Sequence, residues 1–467
     1  MVRVSGPAAR VALQRMAAPE VLDRRAALRR IVHPLTGDVL DRALVLYFVG
    51  PRSETGEDVA EFQVHGGRAV VRAVLEALGT IPGFRLAEPG EFARRAFANG
   101  KLDLVEIEAL ADLVDAETES QRRLAVRSGG VLSTLYEGWR AKLIEIAALV
   151  EAAIDFSDEG DVGAKSFSMA RTRATPLLAE IRAHLDDGHR GEILRDGFRV
   201  AILGAPNAGK SSLLNALARR EAAIVSEEAG TTRDVIEVRL DLGGLPVIVS
   251  DTAGIREAKG EVEREGIRRS LKAAEDAQLV LWLTESGSDS SPESISRETP
   301  CVVVRTKMDL ESPTSIPGMV RESPLPLTGR GRGWGEEPGG QPETTHSHRP
   351  PTPNPSPQGG GGFPAALSMA ISNKTETGLA ELVALIGSMA ADRIGNTDAP
   401  VLTQARHRSN LEAAAASLSD FLAGDAEAPE LRAEDVRRAA HALGRITGRV
   451  DVEEVLDQIF SRFCIGK

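Results

Sequence analysis

The segment from Gly204 to Ser211, Gly-Ala-Pro-Asn-Ala-Gly-Lys-Ser, constrains this chain more than any other feature. It matches G-x-x-x-x-G-K-[ST], a pattern in which a glycine-rich loop follows a strand and opens a helix. An apolar run at 198–203 precedes it, and a helix-like run at 212–217 follows it. The N–H groups of the loop and the positive end of the helix dipole then point at one place, which binds phosphate. The segment therefore predicts a nucleotide-binding α/β unit.

Side chains of this loop and of two later segments have the chemistry needed to hold phosphates. We expect Lys210 to reach the outer phosphates and the hydroxyl of Ser211 to hold Mg²⁺. Thr232, in Gly-Thr-Thr-Arg, can complete the magnesium coordination only when a γ-phosphate is present. Asp251 follows an apolar run and can hold Mg²⁺ through water, while the N–H of Gly254 can contact the γ-phosphate. The order of these segments is that of a nucleotide-dependent switch protein.

Two further segments have the chemistry needed to select guanine. Asp309, in Thr-Lys-Met-Asp, can accept hydrogen bonds from guanine N1–H and from its exocyclic amine, a pair that adenine does not offer. The segment 372–374, Ser-Asn-Lys, follows another apolar run and completes the base pocket. GTP is therefore the predicted ligand. The residues predicted to contact it are Asn207, Ala208, Gly209, Lys210, Ser211, Ser212, Ser226, Glu227, Glu228, Ala229, Gly230, Thr231, Thr232, Asp251, Thr252, Ala253, Gly254, Thr306, Lys307, Asp309, Ser372, Asn373 and Lys374.

The chain departs twice from the usual guanine-nucleotide pattern. Thr306 takes the place of the asparagine in N-K-x-D, which removes an amide donor. Ile255 follows Asp-Thr-Ala-Gly, where Ras-like enzymes have the glutamine that orients the attacking water. Another residue must therefore position that water.

Composition limits the classes of protein to which the chain can belong. A length of 467 residues corresponds to about three domains. The net charge of -12 excludes a general basic coat for nucleic acid. Any RNA contact must come from local patches, and we interpret the arginines at 24–30 and 122–127 as solvated helix faces. Two distant cysteines favour a reducing compartment, so we expect a cytoplasmic protein, and no apolar stretch reaches the length of a membrane span.

Changes in pattern along the chain indicate four segments. Residues 1–100 mix short strands and helices, as an α+β domain does, and residues 101–195 have helical periodicity. Residues 196–395 hold the nucleotide motifs, and helical periodicity returns at 396–467. We therefore expect a multidomain α/β plus α protein in which a Ras-like P-loop domain is inserted in a helical bundle domain. Within it, 311–364 is rich in proline and glycine, and we interpret this stretch as a disordered insertion.

Motifs spread over nearly the whole chain resemble one known family. They are Arg3-Val-Ser-Gly, Thr55-Gly-Glu-Asp with His65-Gly-Gly, Pro89-Gly-Glu-Phe, Asn99-Gly-Lys-Leu-Asp, Glu151-Ala-Ala-Ile-Asp-Phe, the region 204–233 and the terminal Phe463-Cys-Ile-Gly-Lys. The terminal pentapeptide is a highly specific signature. By these motifs the chain resembles the MnmE (TrmE) family of bacterial tRNA modification GTPases.

The resemblance implies a GTPase that potassium and dimerisation activate. In that family two G domains meet across the nucleotide, and K⁺ takes the place that an arginine finger occupies elsewhere. A positive charge at this place stabilises the transition state. Glu263 matches the family residue that orients the attacking water. The positions that match the potassium ligands are Asn207, Ser226, Glu228 and Thr231.

The resemblance also implies chemistry on RNA. The family's N-terminal domain binds a tetrahydrofolate one-carbon donor as a homodimer, and Cys464 matches a cysteine implicated in the modification. A flavoprotein partner, MnmG, forms a heterotetramer with the family's dimer and supplies reduced FAD. Together they add an aminomethyl or carboxymethylaminomethyl group at carbon 5 of the wobble uridine of certain tRNAs. The positions that match folate contacts are Arg3, Glu61, Lys101 and Lys467.

Two alternatives stay open on the sequence. A ribosome-assembly GTPase of the Era or Der type shares the phosphate loop and the threonine switch, but would add a basic RNA-binding domain. A folate-dependent one-carbon transferase would use its G domain only for regulation. Members of the family that the chain resembles have a longer segment, with a first strand, before the position that matches Arg3. We therefore expect this chain to lack that strand.

Overall fold

The chain divides into two compact units. One consists of Met1–Val200, Leu217–Ser250 and Val383–Lys467, and the other of Ala201–Ala216 and Asp251–Leu382. The computed structural model describes residues 1–17, 22–156, 161–205, 207–220, 222–224, 236–251, 275–285, 299–310, 367–396, 400–425, 428–450, 456, 459–460 and 463. Within these ranges, no helix is both long and apolar enough to cross a membrane.

The described part of the chain contains both strands and helices. The strands are β1 (Val2–Ser5), β2 (Ala27–Val32), β3 (Val39–Phe48), β4 (Val59–Gln63), β5 (Phe198–Gly204), β6 (Ile236–Leu242), β7 (Leu245–Asp251), β8 (Leu279–Glu285), β9 (Cys301–Thr306) and β10 (Leu367–Ala370). The helices are α1 (Ala9–Met16), α2 (Arg68–Gly79), α3 (Glu91–Ala98), α4 (Leu104–Val114), α5 (Glu119–Asp155), α6 (Asp161–Leu185), α7 (Arg190–Asp196), α8 (Lys210–Ala218), α9 (Leu379–Ile394), α10 (Ala405–Ala423) and α11 (Pro429–Thr447).

The N-terminal strands form an antiparallel sheet in the order β1-β4-β3-β2. In β3 the side chains of Ala43, Val45 and Tyr47 are buried, while that of Leu44 is exposed. This alternation is typical of a strand with one face on a core. Residues of α1 and α2, such as Leu13, complete that core. This part of the chain therefore has the α+β character that its sequence predicts.

Strand β2 corrects one interpretation of the sequence. Arg29 and Arg30 lie in this strand and not on a helix. Arg30 is exposed, whereas the next residue, Ile31, is fully buried. Because β2 is at an edge of the sheet, charged side chains there discourage pairing with another chain. The other arginine group does lie on a helix, since Arg122 and Arg123 pair with Glu119 on α5.

Helices from both sides of the nucleotide motifs share one hydrophobic core. Tyr136 and Trp139 of α5 are buried in the same cluster as Leu411 and Phe421 of α10. Helices α6 and α11 contribute further apolar side chains to this cluster, among them Val436. Burial of apolar surface is the main favourable term in folding, so the two helical segments stabilise each other.

The long helix α5 begins where the turn between β6 and β7 contacts it. The Thr118 side chain is the N-cap of α5, in a reciprocal capping box. The Ser120 N–H donates to the Gly244 carbonyl at 3.2 Å, which satisfies one of the free N–H groups of the first helical turn. Arg239 of β6 pairs with Glu117 at 2.9 Å. The strands that follow the Gly-Thr-Thr-Arg segment at 230–233 are thereby joined to the start of α5.

The nucleotide motifs follow strands of a six-stranded sheet with the order β10-β9-β8-β5-β7-β6. Strands β8, β9 and β10 pair in parallel. Side chains such as Val280, Leu281, Val302 and Val304 are fully buried. Strands covered on both faces have continuous apolar sequences, and the apolar runs of β5 and β7 predict them for that reason. Ligands of such sheets bind beyond the carboxyl ends of the strands.

Candidate nucleotide-binding site

The phosphate loop has the backbone geometry that its glycines predict. It begins at Gly204, the last residue of β5, whose φ is 141°. A Cβ atom at this position would overlap the carbonyl oxygen of Leu283 in β8, so only glycine fits. Gly209, with φ of 89°, precedes α8 and accepts a hydrogen bond from the Leu213 N–H at 2.9 Å. The loop thus ends at the start of a helix, as a phosphate site requires.

Lys210 is held inside this loop. Its Nζ donates to the carbonyls of Gly204 and Ala205, each at 2.8 Å. The residue is 9% exposed. Burial lowers the pKa of Lys210, and the negative charge of Asp251 opposes that shift. An ammonium group that is partly desolvated in this way interacts strongly with an incoming phosphate.

Ser211 and Asp251 form the part of the site that fits a magnesium ion. The Ser211 hydroxyl donates to Oδ2 of Asp251 at 2.7 Å. Asp251 is fully buried at the end of β7. A hydroxyl and a carboxylate are hard oxygen ligands of the kind that Mg²⁺ takes together with waters and substrate phosphates. The described residues contain no group of three or more His, Cys, Asp or Glu that could hold a metal by protein ligands alone.

Thr306 joins the base side of the site to the phosphate loop. Its side chain is buried at the end of β9. The hydroxyl donates to the Ala208 carbonyl at 2.8 Å and lies 3.3 Å from the Thr284 carbonyl. Asn373 reaches the same loop from the other motif, where its Nδ2 donates to the Gly209 carbonyl at 3.5 Å. The threonine therefore provides a contact to the loop although it lacks an amide.

Asp309 is oriented by the second base motif. Its carboxylate accepts a hydrogen bond from the Ser372 hydroxyl at 2.8 Å, and Ser372 is buried after β10. Asp309 itself is exposed and lies in the 3-10 turn Met308–Leu310. A carboxylate fixed on one side and open on the other can accept hydrogen bonds from a base. Lys307 of the same motif has φ of 62° and pairs with Glu285 at 2.5 Å.

Of the predicted GTP contacts, hydrogen bonds join Ser211 to Asp251, Thr306 to Ala208, Asn373 to Gly209 and Ser372 to Asp309. Asn207, Lys210, Ser212, Lys307 and Lys374 are described members of the same segments. Other predicted residues lie outside the described ranges. They are Ser226, Glu227, Glu228, Ala229, Gly230, Thr231, Thr232, Thr252, Ala253, Gly254, Glu263, Cys464 and Lys467, and the stretch 311–364 lies outside as well.

Two of the predicted folate contacts lie side by side on neighbouring strands. Arg3 of β1 is opposite Glu61 of β4, and its Nη2 is 2.9 Å from the Glu61 carboxylate. Arg3 also pairs with Glu54. Lys101 has a different partner, because its Nζ donates to the Pro51 carbonyl at 2.8 Å. The structure therefore brings Arg3 and Glu61 together but gives no contact between either of them and Lys101.

Sequence reasoning missed a polar cluster next to this pair. Nη1 of Arg95, on α3, is 2.6 Å from Glu57 and also donates to the Ser5 carbonyl at 3.2 Å. The Ser5 hydroxyl is 2.7 Å from that of Thr55. The signals for it in the sequence are the motifs Arg3-Val-Ser-Gly and Thr55-Gly-Glu-Asp, since neither charge spacing nor periodicity relates these residues.

Comparison with known proteins identifies the family. The model described as MnmE helical domain matches residues 104–464, and the model described as GTP-binding protein TrmE N-terminus matches residues 1–101. Three relatives bear the name tRNA modification GTPase MnmE. The protein of Mesorhizobium japonicum is 47% identical over 468 residues, which cover 100% of this chain and 96% of the relative. The protein of Parvibaculum lavamentivorans is 48% identical over 477 residues, with coverages of 100% and 96%.

A third relative has a similar identity and coverage. The protein of Rhodopseudomonas palustris is 47% identical over 468 residues, which cover 100% of this chain and 95% of the relative. The agreement spans the N-terminal sheet, the helices and the nucleotide motifs together. The chain therefore belongs to the MnmE family of tRNA modification GTPases.

Proposed function

We propose that this chain hydrolyses GTP and that the hydrolysis serves tRNA modification. One observation supports the proposal most directly: a hydrogen bond joins the two ends of a nucleotide site. The Thr306 hydroxyl donates to the Ala208 carbonyl of the phosphate loop. Ser211 and Asp251 lie on the phosphate side of this link, and Asp309 lies on the base side. Family membership favours this function over an Era or Der type of ribosome-assembly GTPase.

Electrostatics at the phosphate loop explain how the chain would promote hydrolysis. Lys210 and the N–H groups at the start of α8 place positive charge where the β- and γ-phosphates bind. Ser211 and, when a γ-phosphate is present, Thr232 would hold Mg²⁺, and Asp251 would hold it through water. The bound ion would neutralise phosphate charge. Phosphoryl transfer needs mainly positioning and charge stabilisation, with little covalent help from the protein. The loop therefore acts by holding the reacting phosphate in a fixed electric field.

Asp309 would make the site specific for guanine. Its carboxylate accepts from N1–H and from the exocyclic amine of guanine, and Ser372 holds it in place. Adenine has neither group in that arrangement, so ATP would lack both of these hydrogen bonds to the carboxylate. A hydrogen bond to a charged group is worth about 1.5–3 kcal/mol. GTP is the substrate that this geometry favours.

The finer mechanism that we propose follows the family resemblance. Two G domains of a homodimer would meet across the nucleotide, with K⁺ held by Asn207, Ser226, Glu228 and Thr231, and its charge would stabilise the transition state. Glu263 would orient the attacking water. Asn207, the described member of this set, lies within the phosphate loop at φ of 64°.

We also propose the RNA chemistry that the family resemblance implies. Arg3 and Glu61 offer a donor and an acceptor side by side, which suits the polar edge of a tetrahydrofolate pterin. Lys101, Lys467 and Cys464 would complete this region. An MnmG-like flavoprotein carrying FAD would join the homodimer in a heterotetramer. The product would be an aminomethyl or carboxymethylaminomethyl group at carbon 5 of the wobble uridine in certain tRNAs.

The domain layout is part of the same proposal. Residues 1–100 would form the folate-binding and dimerisation domain, and 196–395 the G domain. The segments 101–195 and 396–467 would form one helical domain into which the G domain is inserted. Their shared core, which includes Tyr136 and Leu411, supports this layout. The cytoplasm is the location expected from the cysteine content.

Nucleoside analysis of tRNA tests the proposed function. A bacterial strain without its own wobble uridine modification GTPase receives this chain, Lys210→Ala or the control Lys142→Ala. Lys142 is an exposed residue of α5 that pairs with Glu180. We expect the unaltered chain and Lys142→Ala to restore the modified nucleoside, and Lys210→Ala to leave it absent. An unmodified wobble uridine with the unaltered chain, or full restoration by Lys210→Ala, would refute the proposal.

A further inference from the structure

The C-terminal segment of the chain is attached to helix α3 and its neighbour α4. Phe460 is 1% exposed and Phe463 is 4% exposed. Both belong to one apolar cluster with Ala93 of α3 and with Leu104 and Ile107 of α4. Phe463 is the residue immediately before Cys464. The point from which the terminal Cys-Ile-Gly-Lys extends is thus held by residues far away in the sequence.

Gly90, the N-cap of α3, lies close to the backbone of Phe460. Its φ is 68°, a conformation that L side chains rarely adopt. A Cβ atom at Gly90 would lie 2.7 Å from the Phe460 carbonyl oxygen and 2.9 Å from its Cα. Those are backbone atoms, which cannot rotate away as a side chain does. Any other residue at this position would displace Phe460 or the start of α3.

Arg94, one turn further along α3, contacts the same phenylalanine. Its Cζ is 5.1 Å from the centroid of the Phe460 ring, which is a cation–π geometry. The neighbouring residues of α3 face the N-terminal sheet: Arg95 pairs with Glu57, and Phe92 lies under the guanidinium of Arg3 at 5.8 Å. One short helix therefore touches both the Arg3 region and the C-terminal segment.

We infer that Gly90 and Arg94 are positioning residues for the C-terminal motif. They hold Phe460, which shares an apolar cluster with Phe463, the residue immediately before Cys464. The inference rests on the proposed function, because it gives the motif its part in tRNA modification. Loss of these contacts should impair modification and leave GTP hydrolysis intact, because neither Gly90 nor Arg94 is among the residues proposed to bind or hydrolyse GTP.

Thiol labelling of Cys464 tests directly whether Gly90 and Arg94 hold Phe460 in place. The chain has two cysteines, so Cys301→Ser leaves Cys464 as its only thiol. In this background we compare Gly90→Ala with Gly83→Ala, by the rate of reaction with a maleimide. Gly83 has φ of 85° but nothing within 4 Å of an added Cβ, so it carries the same backbone strain without the clash. We expect a several-fold change of labelling rate in Gly90→Ala and none in Gly83→Ala.

Arg94 provides a second variant that keeps the backbone unchanged. Arg94→Met removes the cation but retains an apolar stem, whereas Arg94→Lys keeps a cation over the ring. We expect Arg94→Met to shift the labelling rate in the same direction as Gly90→Ala, and Arg94→Lys to restore most of the parent rate. GTP hydrolysis and tRNA modification are measured on the same preparations. Hydrolysis should stay at the parent value while modification falls.

The outcomes separate the positioning role of Gly90 and Arg94 from the proposed role of Cys464. Equal labelling rates in Gly90→Ala and Gly83→Ala, or hydrolysis that falls in parallel with modification, would overturn the positioning role. A changed labelling rate with full tRNA modification would support the positioning of Phe460 by Gly90 and Arg94. It would count against the role of Cys464 in the proposed function. A changed rate, lost modification and intact hydrolysis would support both.

Discussion

Asp309 is the residue whose replacement gives the most specific prediction for the nucleotide site. In Asp309→Asn the amide cannot accept both guanine hydrogen bonds, and each bond to a charged group is worth about 1.5–3 kcal/mol. We expect GTP affinity to fall at least about a hundredfold. The amide NH₂ can donate to the C2 carbonyl of xanthine, so XTP binding should rise. Titration of both nucleotides measures the exchange, and loss of GTP binding without a gain for XTP would contradict it.

Glu263 is the residue that we expect to orient the attacking water. Glu263→Ala should bind GTP with unchanged affinity, because nothing assigns Glu263 to nucleotide binding. Turnover should fall at least about a hundredfold, the scale of a lost acid–base or water-positioning group. Glu261→Ala is the matched control, two residues away in Glu-Val-Glu. Single-turnover hydrolysis compares them, and equal rates in both variants would remove Glu263 from the mechanism.

Thr306 shows what a motif can and cannot predict about a single side chain. The sequence indicates the position of the base motif and the loss of an amide donor. It does not indicate that the hydroxyl would reach the Ala208 carbonyl, because that contact joins residues 98 positions apart. The position of a site therefore follows from local pattern, but the hydrogen bonds inside it depend on how strands pack.

At the scale of elements, the helical core has buried groups that make it sensitive to acid. Burial raises the pKa of Glu108 on α4, but His407 and Arg406 outweigh that effect and bring it to about 2. Burial lowers the pKa of His184 on α6 to about 4, and that residue is within 3.2 Å of the Tyr136 hydroxyl. Both groups bind protons more weakly in the folded than in the unfolded chain.

Stability of the helical core should therefore decrease as the pH falls. Below about pH 6.5 the unfolded chain protonates His184 while the folded chain does not, so each pH unit costs up to about 1.4 kcal/mol until about pH 4. Glu108 adds a further loss below about pH 4.5, down to its folded pKa. Urea unfolding at several pH values tests this, followed by Trp139 fluorescence after Trp282→Phe and Trp334→Phe.

A histidine variant separates this titration from other acid effects. His184→Gln retains a hydrogen-bonding group for Tyr136 but does not titrate, so its stability should depend less on pH between 6.5 and 4. His441→Gln, at an exposed position of α11, is the control for replacing a histidine with glutamine. Identical slopes in the two variants would show that His184 does not contribute to the acid sensitivity.

Helices and strands with a local sequence pattern could be predicted, whereas contacts between distant segments could not. Apolar runs predict β5 and β7, because strands buried on both faces are apolar throughout. For the edge strand β2 the sequence favours a helix face, which is wrong, since its arginines hide the alternation that a half-buried strand would show. The contact between Gly244 and the start of α5 had no local signal, because it joins a turn to a helix 124 positions earlier in the chain, from Ser120 to Gly244.

At the scale of the molecule, the path of the chain connects the nucleotide motifs with the helical core. The helical core draws on residues before and after the nucleotide motifs, such as Leu132 and Leu443. Strand β6 follows the Gly-Thr-Thr-Arg segment at 230–233. Its Arg239 forms an ion pair with Glu117, which lies just before α5. A structural change in that segment would therefore reach the start of α5, and the rest of α5 packs in the helical core.

The proposal that potassium completes the catalytic site is tested by GTP turnover in two salts. The purified chain is assayed in KCl and in NaCl at equal ionic strength and equal magnesium, with GDP affinity measured in both as a control for binding. We predict that turnover is many-fold faster in KCl, because the cation supplies transition-state charge that the chain lacks without it. Equal turnover in the two salts would contradict the proposal.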